Sequence, residues 1–164
     1  MSRVHHLEST QTIPCSIDGA WSFFSNAKNL LAITPPFLNL IVTNKVSEGE
    51  IFKGQIIAYS VKPLLGIPLK WLTEITDVEP EKMFVDEQVK GPYKLWRHQH
   101  NFIAVEGGVK MRDLVDYSLP FASFGELAHG VVRNQLRKIF EYRYHKIEEL
   151  FGKWDGQLMD LKFT

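Results

Sequence analysis

His98 and His100 sit one residue apart in Trp96-Arg97-His98-Gln99-His100-Asn101-Phe102. Asp113 and Tyr117 follow in Val109-Lys110-Met111-Arg112-Asp113-Leu114-Val115-Asp116-Tyr117. An imidazole ordinarily titrates close to neutrality, so it can act as base, acid or hydrogen-bonding anchor near pH 7. A neighbouring carboxylate tunes it, and a phenol can stabilise an enolate. Two histidines and a carboxylate are also the minimum set for a metal with open positions. His-x-His is too common by chance to carry that reading, and no metal is expected. The candidates for chemistry are His98, His100, Asp113 and Tyr117, and spacing alone gives none of them a catalytic role. Asp113 and Asp116, three apart on a strand, fall on opposite faces and do not pair as acid and base.

These residues need a sheet to hold them. Alternation puts Trp96, His98, His100, Phe102 and Ala104 on one face of a strand over 93–105, and Val109, Met111, Asp113, Val115, Tyr117 and Leu119 on one face of a strand over 108–119. The opposite face of the second strand carries Lys110, Arg112, Asp116 and Ser118 and is the wetter side. A hairpin loop centred on Gly107-Gly108 sets Tyr117 opposite His98, Val115 opposite His100 and Asp113 opposite Phe102. Asp113 and Tyr117 then lie diagonal to His100, within reach of long side chains. Gln88, on the preceding strand, is a further candidate for the cluster. Ionisable groups on an apolar sheet face are costly to bury unless paired, which marks a site without naming what it binds.

Around the hairpin the pattern predicts a strand over 3–13, stopped by Pro14, and a helix capped by Ser16. A shorter helix follows, capped by Asn26 and ended by Thr34-Pro35-Pro36. Strands are expected over 38–46, 50–62, 69–79 and 82–90. They are separated by Ser47-Glu48-Gly49, Pro63 to Pro68, Glu79-Pro80-Glu81 and Gly91-Pro92. Pro120 and the segment Phe121 to Phe124 close the sheet. A helix of about 27 residues then runs to Phe151, long enough to span about 40 Å. Its stripe is Leu127, Val131, Val132, Leu136, Ile139, Phe140, Arg143, Ile147 and Leu150, and Gly152 stops it. Residues 1–152 are expected to form a single domain, with 153–164 as a loosely held tail in which Trp154, Leu158 and Phe163 are the residues able to dock. The fold class is α+β: a seven-stranded antiparallel sheet curved around the C-terminal helix, with two short helices after the first strand.

Composition excludes several functions. Nineteen basic residues balance nineteen acidic ones with no run of like charge, so nucleic acid is not an expected partner. No apolar run approaches the length of a transmembrane helix, and the N-terminus lacks an apolar signal core. Cys15 is the one cysteine, best read as a small buried hydrophobe in a reducing, cytoplasmic compartment. There is no Gly-x-Gly-x-x-Gly fingerprint, phosphate loop or Gly-x-Ser-x-Gly elbow, and no cofactor is expected. His5, His6 and His129 show no ligand pattern and are expected to be solvated. Nothing in the sequence sets an oligomeric state.

The order of elements and the motifs together resemble the START/SRPBCC superfamily, whose helix-grip fold is shared with pollen allergens. The matching pieces run from Asn29-Leu30 to Pro35-Pro36, then Trp71 with Ile75, Phe84-Val85-Asp86-Glu87-Gln88 and Gly91-Pro92-Tyr93. They continue through Trp96-x-His98-x-His100-x-Phe102, Asp113-x-x-Asp116-Tyr117-x-Leu119-Pro120-Phe121 and Ile139-Phe140-x-Tyr142-Arg143. More narrowly the chain is similar to bacterial ligand-binding members labelled cyclase/dehydrase-like or cell-division-inhibitor-like. Val109 and Ala122 stand where that group has Thr and Gly, both in connections. The resemblance implies a deep cavity between sheet and helix, in which members bind lipids, sterols, polyketides or other hydrophobic molecules; a few catalyse cyclisation or dehydration.

The leading expectation is therefore a non-catalytic protein that binds or carries a hydrophobic small molecule. Its wall would be Phe24, Tyr59, Trp96, Phe102, Met111, Leu136 and Phe140, and its polar end Gln88, His98, His100, Asp113 and Tyr117. One alternative is a polyketide cyclase or dehydratase using His98 or His100 as base, Asp113 to tune it and Tyr117 on an enolate. The other is a module that binds a protein partner through the tail or the outer sheet face.

Overall fold

The computed structural model describes residues 3–46, 49–62, 66–120 and 125–164, with the side chains of 125–127 left aside. Ser47-Glu48, the 63–65 part of the proline-rich turn, the segment 121–124 and the side chain of Leu127 lie outside the described residues. Strand β1 (His5–Ile13) leads into helix α1 (Ile17–Phe24), where Ser16 Oγ accepts the Gly19 amide at 3.1 Å and Asp18 sits in the first turn. This is a standard N-cap, satisfying one of the amides a helix start leaves unpaired. The second expected helix is a 3₁₀ turn, Ala27–Ile33, capped by Asn26; a shorter one, Pro36–Leu38, exits through Asn39 at φ 45°.

The sheet follows as β2 (Ile41–Val42), β3 (Ile56–Val61), β4 (Leu69–Glu79), β5 (Met83–Lys90), β6 (Leu95–Val105) and β7 (Gly108–Ser118). Helix α2 (Gly125–Phe151) and strand β8 (Asp160–Phe163) complete the chain. The strands pair in the order β2-β3-β4-β5-β6-β7-β1-β8, all antiparallel. The β4–β5 ladder shifts register at Leu72/Thr73 and at Ile75/Asp77, the irregularities that bend a sheet. This is the α+β helix-grip arrangement, with eight strands among the described residues in place of the expected seven.

Two differences from the sequence reading have local causes. The strand expected over 38–46 shrinks to two residues because the Asn44 side chain takes over the ladder: its amide donates to Ile56 O and its carbonyl accepts the Ala58 amide. The 50–62 strand starts at Ile56, because Gly54, at φ 86°, turns the backbone just before it. The tail is not loose. It turns at Gly152, Gln157 brackets the backbone of Thr12, and β8 pairs with β1 from Leu7↔Phe163 to Thr10↔Asp160. Arg133 and Arg137 of α2 both lie over the Phe163 ring, at 5.1 and 5.2 Å.

Leu136, Phe140, Tyr144 and Ile147 form the buried stripe of α2, at helical spacing. The core forms two clusters. One gathers Ile13, Trp21, Phe84, Phe102, Met111 and Ile147 beneath α1; the other gathers Leu7, Trp96, Val115, Tyr117, Leu136 and Phe140, and Trp71 packs against both. Among the described residues no helix is long and apolar enough to cross a membrane.

Candidate functional site

Strands β5, β6 and β7 and helix α2 each send one or two ionisable side chains to the same place. The β6–β7 hairpin turns at Glu106-Gly107, with Val105 paired to Gly108 and Gly107 at φ 78°. The pairing is therefore two residues away from the expected register: His100 faces Asp113, His98 faces Val115, Trp96 faces Tyr117 and Phe102 faces Met111. A shift of two keeps every side chain on its face, so the cluster survives the correction with its partners changed. On the other flank Asp86 pairs with His98 and Phe84 with His100.

The two imidazoles lie 3.7 Å apart, centroid to centroid, between two carboxylates. Asp113 Oδ1 is 3.1 Å from His98 Nε2 and 2.9 Å from His100 Nδ1; Asp86 Oδ2 is 2.8 Å from His100 Nε2 and 3.9 Å from His98 Nδ1. Arg143, from α2, approaches Asp113 Oδ2 at 3.6 Å. His98–Asp113 and His100–Asp86 have hydrogen-bonding geometry, whereas His100 Nδ1, though close to Asp113, does not. Phe84 stacks on His100 at 4.1 Å and Phe140 stands 6.0 Å from His98, so the polar groups have apolar neighbours.

Burial raises the cost of every charge here, and the partners decide the outcome. Burial pushes the Asp113 carboxyl up, but the Arg143 guanidinium and the two imidazoles outweigh it and hold it well below the usual carboxylate range. Asp86 behaves alike: burial raises it, and the His100 hydrogen bond with the nearby positive groups brings it below the ordinary value. The histidines split. Burial and the adjacent His100 push His98 down, whereas for His100 the closeness of the Asp113 carboxylate and the hydrogen bond to Asp86 overcome burial and push it up.

Above this cluster, between the sheet, the 3₁₀ turn and α2, lies a cavity of about 220 Å³. Its wall is mostly apolar, including Phe24, Leu30, Ile33, Tyr59, Trp71, Tyr93, Trp96, Leu136, Ile139 and Phe140. Asp86, His98, His100 and Arg143 form its polar end. Burial and the nearby Asp86 push the Tyr59 hydroxyl above the phenol range, which keeps it a donor in that wall.

Five expected site residues lie elsewhere. Phe102 and Met111 are buried in the core beneath α1. Gln88 instead closes the β5–β6 turn: its amide donates to Tyr93 O at 2.7 Å and its carbonyl accepts the Tyr93 amide. Asp113 sits behind the imidazoles rather than on the cavity surface, in a small space shared with Ser9, Gln11 and Arg143. The Tyr117 hydroxyl is turned to His129 Nε2, 3.2 Å away. His129 is in turn stacked at 3.7 Å on His5, so neither of these two histidines is simply solvated. Asp86 and Arg143 are the charged residues of the site that the sequence reading did not place there, and Leu30, Ile33, Trp71, Tyr93 and Ile139 are wall residues it also missed. Asp86 shares a strand face with Phe84 and Gln88, and Arg143 lies three residues beyond Phe140 on the apolar stripe; both signals were present in the alternation.

The sequence matches no known protein-family profile and no curated protein. Solved structures do match. Protein Ms6760 from Mycobacterium smegmatis superimposes with TM-score 0.66 at 14% identity over 88% of this chain and 89% of its own. The major latex-like protein from Panax ginseng gives 0.62 at 14% identity over 90% and 97%. Zhui, an aromatase/cyclase from a Streptomyces species, gives 0.63 at 15% over 90% and 93%. At these identities the likeness establishes the helix-grip fold.

Proposed function

We propose that this protein binds a compact, mainly apolar small molecule in the cavity over the sheet, with one polar end turned toward Asp86, His98, His100 and Arg143. The observation that carries this reading is the combination of an apolar wall and one cluster of charged and titratable side chains, Asp86, His98, His100 and Arg143, in one hollow. Pockets for drug-sized ligands run to roughly 300–1,000 Å³, so about 220 Å³ suits one or two rings or a short chain rather than a long lipid lying wholly inside. Burying the ligand's apolar surface supplies affinity at roughly 25 cal/mol per Å², and the polar end supplies orientation. Ligands of lipid, polyketide or aromatic character fit this description. The lone cysteine fits a cytoplasmic setting.

The test is displacement of an anilinonaphthalene sulfonate probe by a panel of aromatic acids, short fatty acids and polyketide-like phenols, with native mass spectrometry of the purified protein alongside. The expected result is saturable one-to-one displacement by at least one class, lost in Leu136→Trp, whose indole would enter the cavity. No displacement by any class, together with no co-purified molecule, overturns the proposal.

A second reading, acid–base chemistry of the cyclase or dehydratase kind, draws support from the Asp113–His98 pair at the cavity's polar end and from the likeness to an aromatase/cyclase. Its role for Tyr117 loses support, since that hydroxyl faces His129. Product formation from a poly-β-ketone by the wild type and none by a folded His98→Gln would favour it over simple binding.

A further inference from the structure

Each imidazole of the cluster presents one nitrogen to Asp113 and the other to Asp86. Asp113 Oδ1 is near His98 Nε2 and His100 Nδ1, and Asp86 Oδ2 is near His100 Nε2 and His98 Nδ1. The arrangement is a clamp with two ends of different character. The Asp113 end is closed, with Arg143 behind it; the Asp86 end opens on the cavity. If Asp113 accepts N–H from both rings, both remaining nitrogens turn lone pairs to the cavity side, beside a carboxylate oxygen.

From this geometry we infer that Asp86, His98 and His100 form a binding site for one divalent first-row transition-metal ion, with Asp113 as the carboxylate that orients both imidazoles. One ligand atom from each of the three lies within 4.8 Å of the others. Donors around such an ion sit about 3 Å from one another, given bond lengths of about 2.0–2.2 Å, so modest side-chain rotations close the triangle. Two imidazoles and one carboxylate leave coordination positions open, and here they face the cavity. A metal-bound histidine characteristically donates its second nitrogen to a carboxylate, which fixes tautomer and ring plane. The two rings meet that condition through one shared residue. His100 Nδ1, buried without a well-aligned hydrogen bond yet 2.9 Å from Asp113 Oδ1, gains a defined role as donor once Nε2 holds the ion. The sequence reading expected no metal, and the carboxylate it set nearest His-x-His was Asp113; the strand pairing puts Asp86 beside the cavity-side nitrogens and Asp113 to the rear.

Charge then fixes the chemistry of the fourth ligand. With neutral imidazoles, a divalent ion and Arg143 against two carboxylates leave one net positive charge in a buried site. The open position therefore favours an anionic group, a hydroxide or the carboxylate or enolate end of a cavity ligand, over a neutral one. The site stands whether or not the cavity takes the apolar molecule proposed above.

Chelator-treated full-length protein, with His5→Gln and His6→Gln to remove the N-terminal histidines, is titrated with Co²⁺ alone and then with Zn²⁺. The expected result is one equivalent of Co²⁺ with visible d–d absorption, displaced by Zn²⁺. Asp86→Asn and His98→Gln should weaken binding at least about 100-fold, and Asp113→Asn about 10- to 100-fold with stoichiometry kept. Long-range ¹H–¹⁵N spectra of the unsubstituted protein provide a readout that does not depend on variants folding: Zn²⁺ should shift His98 Nδ1 and His100 Nε2. No d–d band, equal affinity in Asp86→Asn, or unmoved resonances for those two nitrogens overturns the inference.

Discussion

Asp113 and Arg143 are 6% and 8% exposed and depend on each other for charge. Removing one partner of a buried pair is costlier than removing both, because the remaining charge stays in a medium that cannot solvate it. Arg143→Met should therefore destabilise the fold by about 3–5 kcal/mol in urea unfolding. Asp113→Asn added to Arg143→Met should recover part of that loss; a double variant no more stable than Arg143→Met would mean the guanidinium acts by packing on Phe24 rather than by charge. At this scale the sequence was legible in faces and less so in partners. Alternation put His98, His100 and Asp113 on one side correctly. Register depended on which residues of Glu106-Gly107-Gly108 form the turn, and only the backbone answers that: Gly107 takes the positive φ, and Gly108, already paired, has no room for a side chain beside Ile13 O.

The elements that hold the site were mostly readable, because caps and prolines act locally and a long helical stripe is hard to mistake. The last strand was not, since Asp160-Leu161-Lys162-Phe163 is too short to announce itself and depends on an open edge of β1. Its role is to cover that edge and carry Phe163 beneath the two arginines of α2. At the far edge of the sheet the two-residue β2 and the Asn44 side chain limit pairing in another way. Deleting residues 160–164 should cost about 2 kcal/mol from lost apolar burial. For a chain of this size that lowers Tm by roughly 4–8 °C. With β1 uncovered, the truncated protein should also show concentration-dependent association in size-exclusion chromatography. A truncated protein that keeps both its Tm and its elution volume would mean β8 adds neither stability nor edge protection.

For the molecule as a whole, the long helix is held off the sheet, and that separation is what a packing argument from sequence cannot supply. Hydrophobic periodicity marks Leu136, Ile139 and Phe140 as inward-facing, but the same pattern serves a solid core and a hollow one. A core built around about 220 Å³ of hollow forgoes about 5 kcal/mol of packing, at about 24 cal/mol per Å³, relative to one filled by side chains. Proteins retain such a loss where function needs the space. The two kinds of core respond oppositely to added volume. In a filled interior an extra ring forces side chains off their rotamers and destabilises by about 1–3 kcal/mol. Ile139→Phe and Ala27→Leu, both on the cavity wall, should instead stabilise the ligand-free protein by about 0.5–2 kcal/mol, as cavity-filling substitutions commonly do. The same variants should weaken probe displacement at least 10-fold, and wild type saturated at about 100 times Kd should gain about 2.7 kcal/mol that the variants lack. Urea unfolding with and without probe reads both quantities on one set of samples. Destabilisation by both variants with ligand affinity unchanged would show that the helix closes on a packed interior, and that the imidazoles at its foot serve structure alone.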